Sequence, residues 1–176
     1  PHSLMVHRNH QQDALRLRWE GMVAGTDGSM DERTECMGAG YVVRDAEAPL
    51  MTLSLRVGGP LASVRAEAAS LLQLLRDVAG QCGRNIRLLI FIDCLVLLDI
   101  LRKWGTYNFH PRPQEVVHFD VIYPLLLELR QWSGDLVLMK IKSHTGCLLN
   151  ERADEYAELG RSAECPELCS GPQKYG

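Results

Sequence analysis

Four acidic residues in this chain occupy places where a chemical role competes with a local structural one. They are Asp27 in VAGTDGSMDE, Glu67 in VRAEAASLL, Asp93 in LLIFIDCL and Asp154 in NERADEYA. Asp27-Gly28 read alone is a hairpin turn, because both residues tolerate positive φ. The preceding GMVAGT is poor in polar groups and suits a buried strand, which would put Asp27 at a strand end. Glu67 borders the apolar stripe of its helix, either as a flanking residue paired with Arg65 or as a functional acid. Asp93 closes an apolar run. It either caps the helix that follows or marks the carboxyl end of a buried strand, where open α/β sheets place their sites. Asp154 falls in the first turn of the last helix, where the dipole favours a carboxylate. His144, between Ser143 and Thr145 in KSHTGCLLN, is an exposed loop residue or a proton carrier.

Each local explanation suffices by itself, but the conjunction points elsewhere. Four carboxylates gathered at one sheet edge would repel one another strongly at low dielectric. Divalent cations would relieve that repulsion. Hard oxygen ligands in such number suit two Mg²⁺ or Mn²⁺ ions about 4 Å apart, the arrangement that clamps the attacking and leaving oxygens of a phosphodiester.

The elements that must position these groups follow from periodicity. GMVAGTDGS is a first strand, GAGYVVRD (38–45) a second, and LMTLSLRV (50–57) a third, in which Met51, Leu53, Leu55 and Val57 alternate with polar residues. Short connections favour an antiparallel meander. After Gly58-Gly59-Pro60, Val64, Ala68, Leu71, Leu75 and Val78 form one helical stripe, with Ser63 as N-cap and Gly80 as the end. IRLLIFI (86–92) is a strand buried on both faces, and CLVLLDILRKW (94–104) is a helix. QEVVHFDVIYPLLLELRQW reads as a helix kinked or broken at Pro124. DLVLMKI (135–141) is the last strand, and ERADEYAELG a short helix capped by Asn150 and ended by Gly160. The order β-β-β-α-β-α-α-β-α describes an α/β (α+β) domain: a five-stranded mixed sheet, its first three strands antiparallel, with helices on both faces.

The 176 residues suit one domain over 21–160. Residues 1–20 read as an arm whose start is a cloning remnant or the cut end of a longer polypeptide. Residues 161–176 read as an extended or disordered tail. Hydrophobic residues make up 46% and charged residues 23%, ordinary for a globular protein, and no apolar run is long enough to span a bilayer. No secretory signal is visible, so six cysteines suit reduced thiols in an intracellular setting, nuclear or cytoplasmic. A zinc site from His144, Cys147, Cys165 and Cys169 does not match the tight zinc spacings. A net charge of −3 excludes a globally basic nucleic-acid binder and leaves local patches to do that work.

TDGS, VRAEAASLLQLL, LLIFIDCLVLLDILRKW and IKSHTGCLLNERADEYA resemble, in order and spacing, the motifs of type 1 ribonuclease H over residues 21–160. The resemblance implies a ribonuclease H-like fold and hydrolysis of the RNA strand of an RNA–DNA hybrid with two Mg²⁺ ions, leaving 5′-phosphate and 3′-hydroxyl ends. It implies Asp27 bridging both metals, Glu67, Asp93 and Asp154 completing the ligand set, and His144 assisting proton transfer or product departure. It places Gly28, Ser29, Ser63, Arg65, Cys94, Ser143 and Asn150 at the substrate, with Glu67 and Asn150 near the 2′-hydroxyls that distinguish RNA from DNA.

The chain also departs from the cellular members. Ala62, Ser63 and Val64 stand where Thr and Asn usually hold a phosphate of the DNA strand, and Cys94 replaces a Ser. The segment between Trp104 and Asp120, counted with Arg102 and Lys103 at its start, is only weakly basic, with Arg112 and two His offset by Glu115. These departures are similar to the ribonuclease H domains of non-LTR retrotransposons, where tethering to a reverse transcriptase raises the effective hybrid concentration. The domain itself is expected to be monomeric and away from membranes. The competing readings are a cellular ribonuclease H, a transposase or resolvase of the same broad fold, and a catalytically silent scaffold or nucleic-acid-binding domain; the intact set of four acids speaks against the last.

Overall fold

The computed structural model describes residues 4–7, 19–45, 48–142, 147–162 and 164–168, and only the backbone of 4–7 and 48–50. The chain runs β1 (Leu4–His7), β2 (Met22–Asp31), β3 (Cys36–Asp45), β4 (Ala48–Val57), α1 (Ser63–Cys82), β5 (Leu88–Ile92), α2 (Leu95–Gly105), a 3-10 turn (Pro113–Glu115), α3 (Phe119–Gln131), β6 (Leu136–Lys140) and α4 (Leu148–Gly160). The sheet order is β1-β6-β5-β2-β3-β4. β2, β3 and β4 form the antiparallel meander, while β5 is parallel to β2 and β6 is parallel to β5. These five strands are the mixed sheet expected, in an α/β, ribonuclease H-like arrangement. β1 joins it as a sixth strand, parallel to β6, from the segment read as an arm.

Each face of the sheet is covered. Ala24, Ala39, Tyr41, Val43, Ile90 and Leu138 pack with α1, α2 and α3 in the larger core. Val42, Leu89, Phe91, Val137 and Met139 turn to the other face, where Leu149 of α4 covers them. β5 is buried throughout, which explains its unbroken apolar run. Along β4 the alternation holds: Leu55 and Val57 are buried and Thr52 is exposed. Between β2 and β3 the turn falls on 32–35, not on Asp27-Gly28.

Several local expectations are corrected. Ala62, not Ser63, is the N-cap of α1, and no side chain bonds the free N–H groups there. α1 continues past Gly80 to Cys82, and Gly83, at φ 79°, ends it with its N–H on the Ala79 carbonyl. Cys94 rather than Asp93 is the N-cap of α2. The helix expected over 114–132 begins only at Phe119, because Pro113 sets a 3-10 turn and His118 takes a left-handed conformation. Pro124, the sixth residue of α3, lies inside the helix without breaking it, at the cost of the i→i−4 bond that its missing N–H would have made to the Asp120 carbonyl. α4 begins two residues before Asn150, so Asn150 is not a cap and Asp154 lies in the second turn. Where described, the tail first turns, at 161–162 and 164–165, and then bridges to β4 at Glu167: the Pro166 carbonyl accepts from the Arg56 N–H at 2.8 Å, and the Leu168 N–H donates to the Arg56 carbonyl at 2.9 Å. Cys36, Cys82, Cys94, Cys147 and Cys165 are free thiols. His144 and Cys169, two members of the zinc arrangement considered, lie outside the described residues. Among the described residues no helix is long and apolar enough to cross a membrane.

Candidate metal centre

The β2–β5 ladder ends at the pair Gly25 and Phe91. Two residues further on, each strand delivers a carboxylate, Asp27 from β2 and Asp93 from just beyond β5. Asp27 remains paired with Gly40 of β3 on its other side, so it is held in a sheet and not at a hairpin tip. Its side chain is 5% exposed.

Glu67 reaches the same point from α1. A Cβ on Gly28 would lie 2.5 Å from the Glu67 nitrogen and 2.7 Å from the Ala66 carbonyl carbon. Only a residue without a side chain lets the helix backbone approach β2 this closely. Glu67 is 6% exposed. Oxygens of Asp27, Glu67 and Asp93 all lie within 4.8 Å of one another and together could hold a metal ion. α4 supplies Asp154 by the same device on the opposite face. A Cβ on Gly40 would lie 2.4 Å from the Ala157 nitrogen, so α4 rests directly on the register partner of Asp27. Asp154, one turn before Ala157, lies near enough to Asp27 to raise its carboxyl, but stands outside the trio whose oxygens lie within 4.8 Å of one another.

The electrostatics of this cluster are those of carboxyl groups buried close to one another. Burial, first, pushes the Asp27 carboxyl up to about 8, and the nearby Asp93 and Asp154 charges add to it, while the hydrogen bond with Glu67 works against the rise. Burial also holds the Glu67 carboxyl well above its usual range, with Asp27, Asp93 and Cys94 contributing in the same direction. Glu67 Oε2 is buried with no hydrogen-bond partner. A buried carboxylate oxygen without a donor is costly in a protein interior, and a hard divalent cation satisfies it.

The remaining site candidates divide sharply. Cys94 borders the cluster at the start of α2; burial raises its thiol, against donation from the Leu97 N–H. Gly28 and Ser29 continue β2, paired with Ala39 and Gly38. Ser63 is exposed at the start of α1. Arg65, expected at the substrate, is instead buried and fully engaged. Its Nη1 and Nη2 donate to Asp120 Oδ1 and Oδ2 at 2.7 and 2.5 Å, and its Nε donates to the Gly58 carbonyl at 2.7 Å. Asn150, expected near a 2′-hydroxyl, is buried and donates through Nδ2 to the Thr26 carbonyl at 3.4 Å, tying α4 to β2. Ser143 and His144 lie outside the described residues.

Two neighbours escaped the sequence reading. Asp120 is visible as the partner of Arg65 only once α3 is seen to start at Phe119. Lys140, opposite Ile92 in the β5–β6 register, brings a positive charge close to Cys94. Its signal was the lone lysine ending the apolar LVLM run, at the carboxyl end of a parallel strand.

The fold and this carboxylate cluster define an α/β domain with a buried, metal-competent acidic centre. Compared with protein-family models and with curated proteins, the chain finds no match in either.

Proposed function

We propose that the protein is a nuclease that hydrolyses the RNA strand of RNA–DNA hybrids by two-metal-ion catalysis, with Mg²⁺ as the natural ion and Mn²⁺ able to substitute. The observation that carries this reading is the trio of buried Asp27, buried Glu67 and half-buried Asp93, with its unpartnered Glu67 oxygen. It stands at the carboxyl end of a parallel strand in a ribonuclease H-like sheet, with Asp154 beside it. An all-carboxylate set selects hard, oxygen-loving cations over zinc or copper.

Asp27, Glu67 and Asp93 would hold one cation, and Asp27 with Asp154 a second. When bound, the cations supply Lewis acidity at the scissile phosphate and balance the charge that builds on it. The protein's own part is to hold four carboxylates at fixed positions against their mutual repulsion. Water attacks phosphorus, the bond to the 3′-oxygen breaks, and the products carry 5′-phosphate and 3′-hydroxyl ends. His144 is assigned the proton at the departing group. Selection of RNA rests on contacts to the 2′-hydroxyl. The Asn150 amide is already engaged with Thr26, which leaves the Glu67 carboxylate as the nearer candidate for that contact. The weakly basic segment before α3 is compatible with a domain delivered to its substrate by a tethered reverse transcriptase.

The test is cleavage of end-labelled RNA–DNA hybrid with Mg²⁺ or Mn²⁺, beside double-stranded RNA and double-stranded DNA. Cleavage confined to the RNA strand of the hybrid, and lost in Asp27→Asn, is the expected result. A parent protein inert with both ions, or an equally active Asp27→Asn, removes the reading and leaves a silent scaffold.

A further inference from the structure

We propose that Arg65 and Asp120 form a positioning clamp that holds Glu67 at the metal centre. The inference rests on the metal-centre reading above and extends it to residues that touch neither ion nor substrate.

Glu67 must stand beside two other acids, Asp27 and Asp93, to complete the centre, so the placement of the first turns of α1 against β2 decides the site. The helix lacks the usual restraint at that end. Its N-cap is Ala62, and no side chain there bonds the exposed N–H groups. α3 is likewise without a side-chain cap, since His118 stands at its N-cap in a left-handed conformation. The Arg65 guanidinium joins these two bare helix starts. It grips both oxygens of Asp120, in the first turn of α3, and a third N–H holds the Gly58 carbonyl in the loop before α1. Gly59, at φ +93°, lies over the guanidinium so closely that a Cβ there would be 2.5 Å from Nη2.

Glu67 follows Arg65 by two residues, and so the clamp and the ligand belong to one helical turn. Gly28 sets how near that turn can come to β2, and the clamp sets how far it can withdraw. Arg65 bonds Asp120 and the Gly58 carbonyl, so it acts on Glu67 through position, with its own charge spent on Asp120. The planar, bidentate fork suits this task better than a lysine would.

Mn²⁺ binding, followed by the loss of the free-ion EPR signal well below the unfolding range, separates positioning from stability. Asp120→Ala should raise the half-saturating Mn²⁺ concentration roughly 10-fold or more, as loss of a group that orients a metal ligand does. Asp120→Asn keeps one acceptor and should fall between it and the parent, and it serves if the alanine variant does not fold. Phe119→Ala removes the ring stacked on Tyr123 in the same turn and should leave Mn²⁺ binding unchanged whatever it does to Tm. Hybrid cleavage by the Asp120 variants should lose rate at low Mn²⁺ and recover at high Mn²⁺, with KM for hybrid unmoved. The proposal is overturned if both Asp120 variants bind Mn²⁺ as the parent does, or if Phe119→Ala weakens binding equally. A parent that binds no Mn²⁺ overturns the clamp together with the metal centre. A parent that binds Mn²⁺ in a clamp-dependent way but cleaves no hybrid upholds the clamp and removes the nuclease reading alone.

Discussion

Asp27 and Asp93 stand side by side because β2 and β5 are parallel and in register. Gly25 pairs with Phe91, the ladder stops there, and each strand places its acid two residues later. Their carboxylates come within 4.8 Å although they are distant in sequence. Burial first, and then the nearby Asp93 charge, raise the affinity of Asp27 for a proton, and a divalent cation reverses the balance.

Replacing Asp27 with Asn should therefore divide function from stability. Cleavage of hybrid should be abolished. Without metal, at mildly alkaline pH, the variant should be more stable than the parent, because one buried like charge is gone. A gain of about 1 kcal/mol would raise Tm by roughly 2–4 °C in a chain of this size. Thermal unfolding in EDTA measures this, and a lower Tm for the variant would contradict it.

The pH dependence of the metal-free protein has a definite sign. Burial and its acidic neighbours push Asp27 from an ordinary 3.8 up to about 8 in the fold. The folded state thus holds a proton that the unfolded chain has already released. That contribution to stability is complete below the unfolded value and is lost as pH rises through about 8. Urea unfolding in EDTA should show stability falling across this window. Saturating Mg²⁺ should flatten the fall, since the cation takes the place of the proton. Equal slopes with and without Mg²⁺ would exclude a metal at this cluster.

Gly28→Ala should damage the site through packing. The added methyl would meet the α1 backbone at Glu67 and Ala66, which cannot rotate aside. Overpacking of this kind costs about 1–3 kcal/mol. The helix must shift, so weaker Mn²⁺ binding should accompany the loss of stability. Denaturation and metal titration of one preparation test both consequences.

Ser63→Ala should do very little. An N-cap serine lost to alanine ordinarily costs about 1 kcal/mol, but Ser63 is already inside α1 and caps nothing. Urea unfolding should place the variant within about 0.5 kcal/mol of the parent, the usual range for an uninvolved surface position.

Much of the centre was legible in the sequence because it rests on local patterns. Alternation along 50–57 identified a half-buried strand, and the unbroken apolar run to Ile92 identified one buried on both sides. The stripe from Val64 to Val78 identified α1 and placed Glu67 beside its buried face. What escaped depends on who meets whom. Arg65 looked available to a substrate because its partner, Asp120, is 55 residues away. Asn150 looked like a cap because α4 adds Leu148 and Leu149 upstream, where Leu149 finds cover on the sheet. Asp93 looked like a cap because the backbone step that gives that place to Cys94 leaves no trace in residue type. The chain before Met22 showed no periodicity that would announce β1, which is defined by pairing with β6.

By itself the sequence determined the acids, the strands and helices that carry them, and the glycines that allow close approach, because propensity and periodicity are properties of neighbouring residues. The tertiary structure alone decided that Asp27, Glu67 and Asp93 converge, and that Arg65 belongs to Asp120. It alone left one Glu67 oxygen buried without a donor. Convergence is set by strand register and by helix-to-sheet distance. Both are fixed only when remote segments pack, and neither is written in the spacing along the chain.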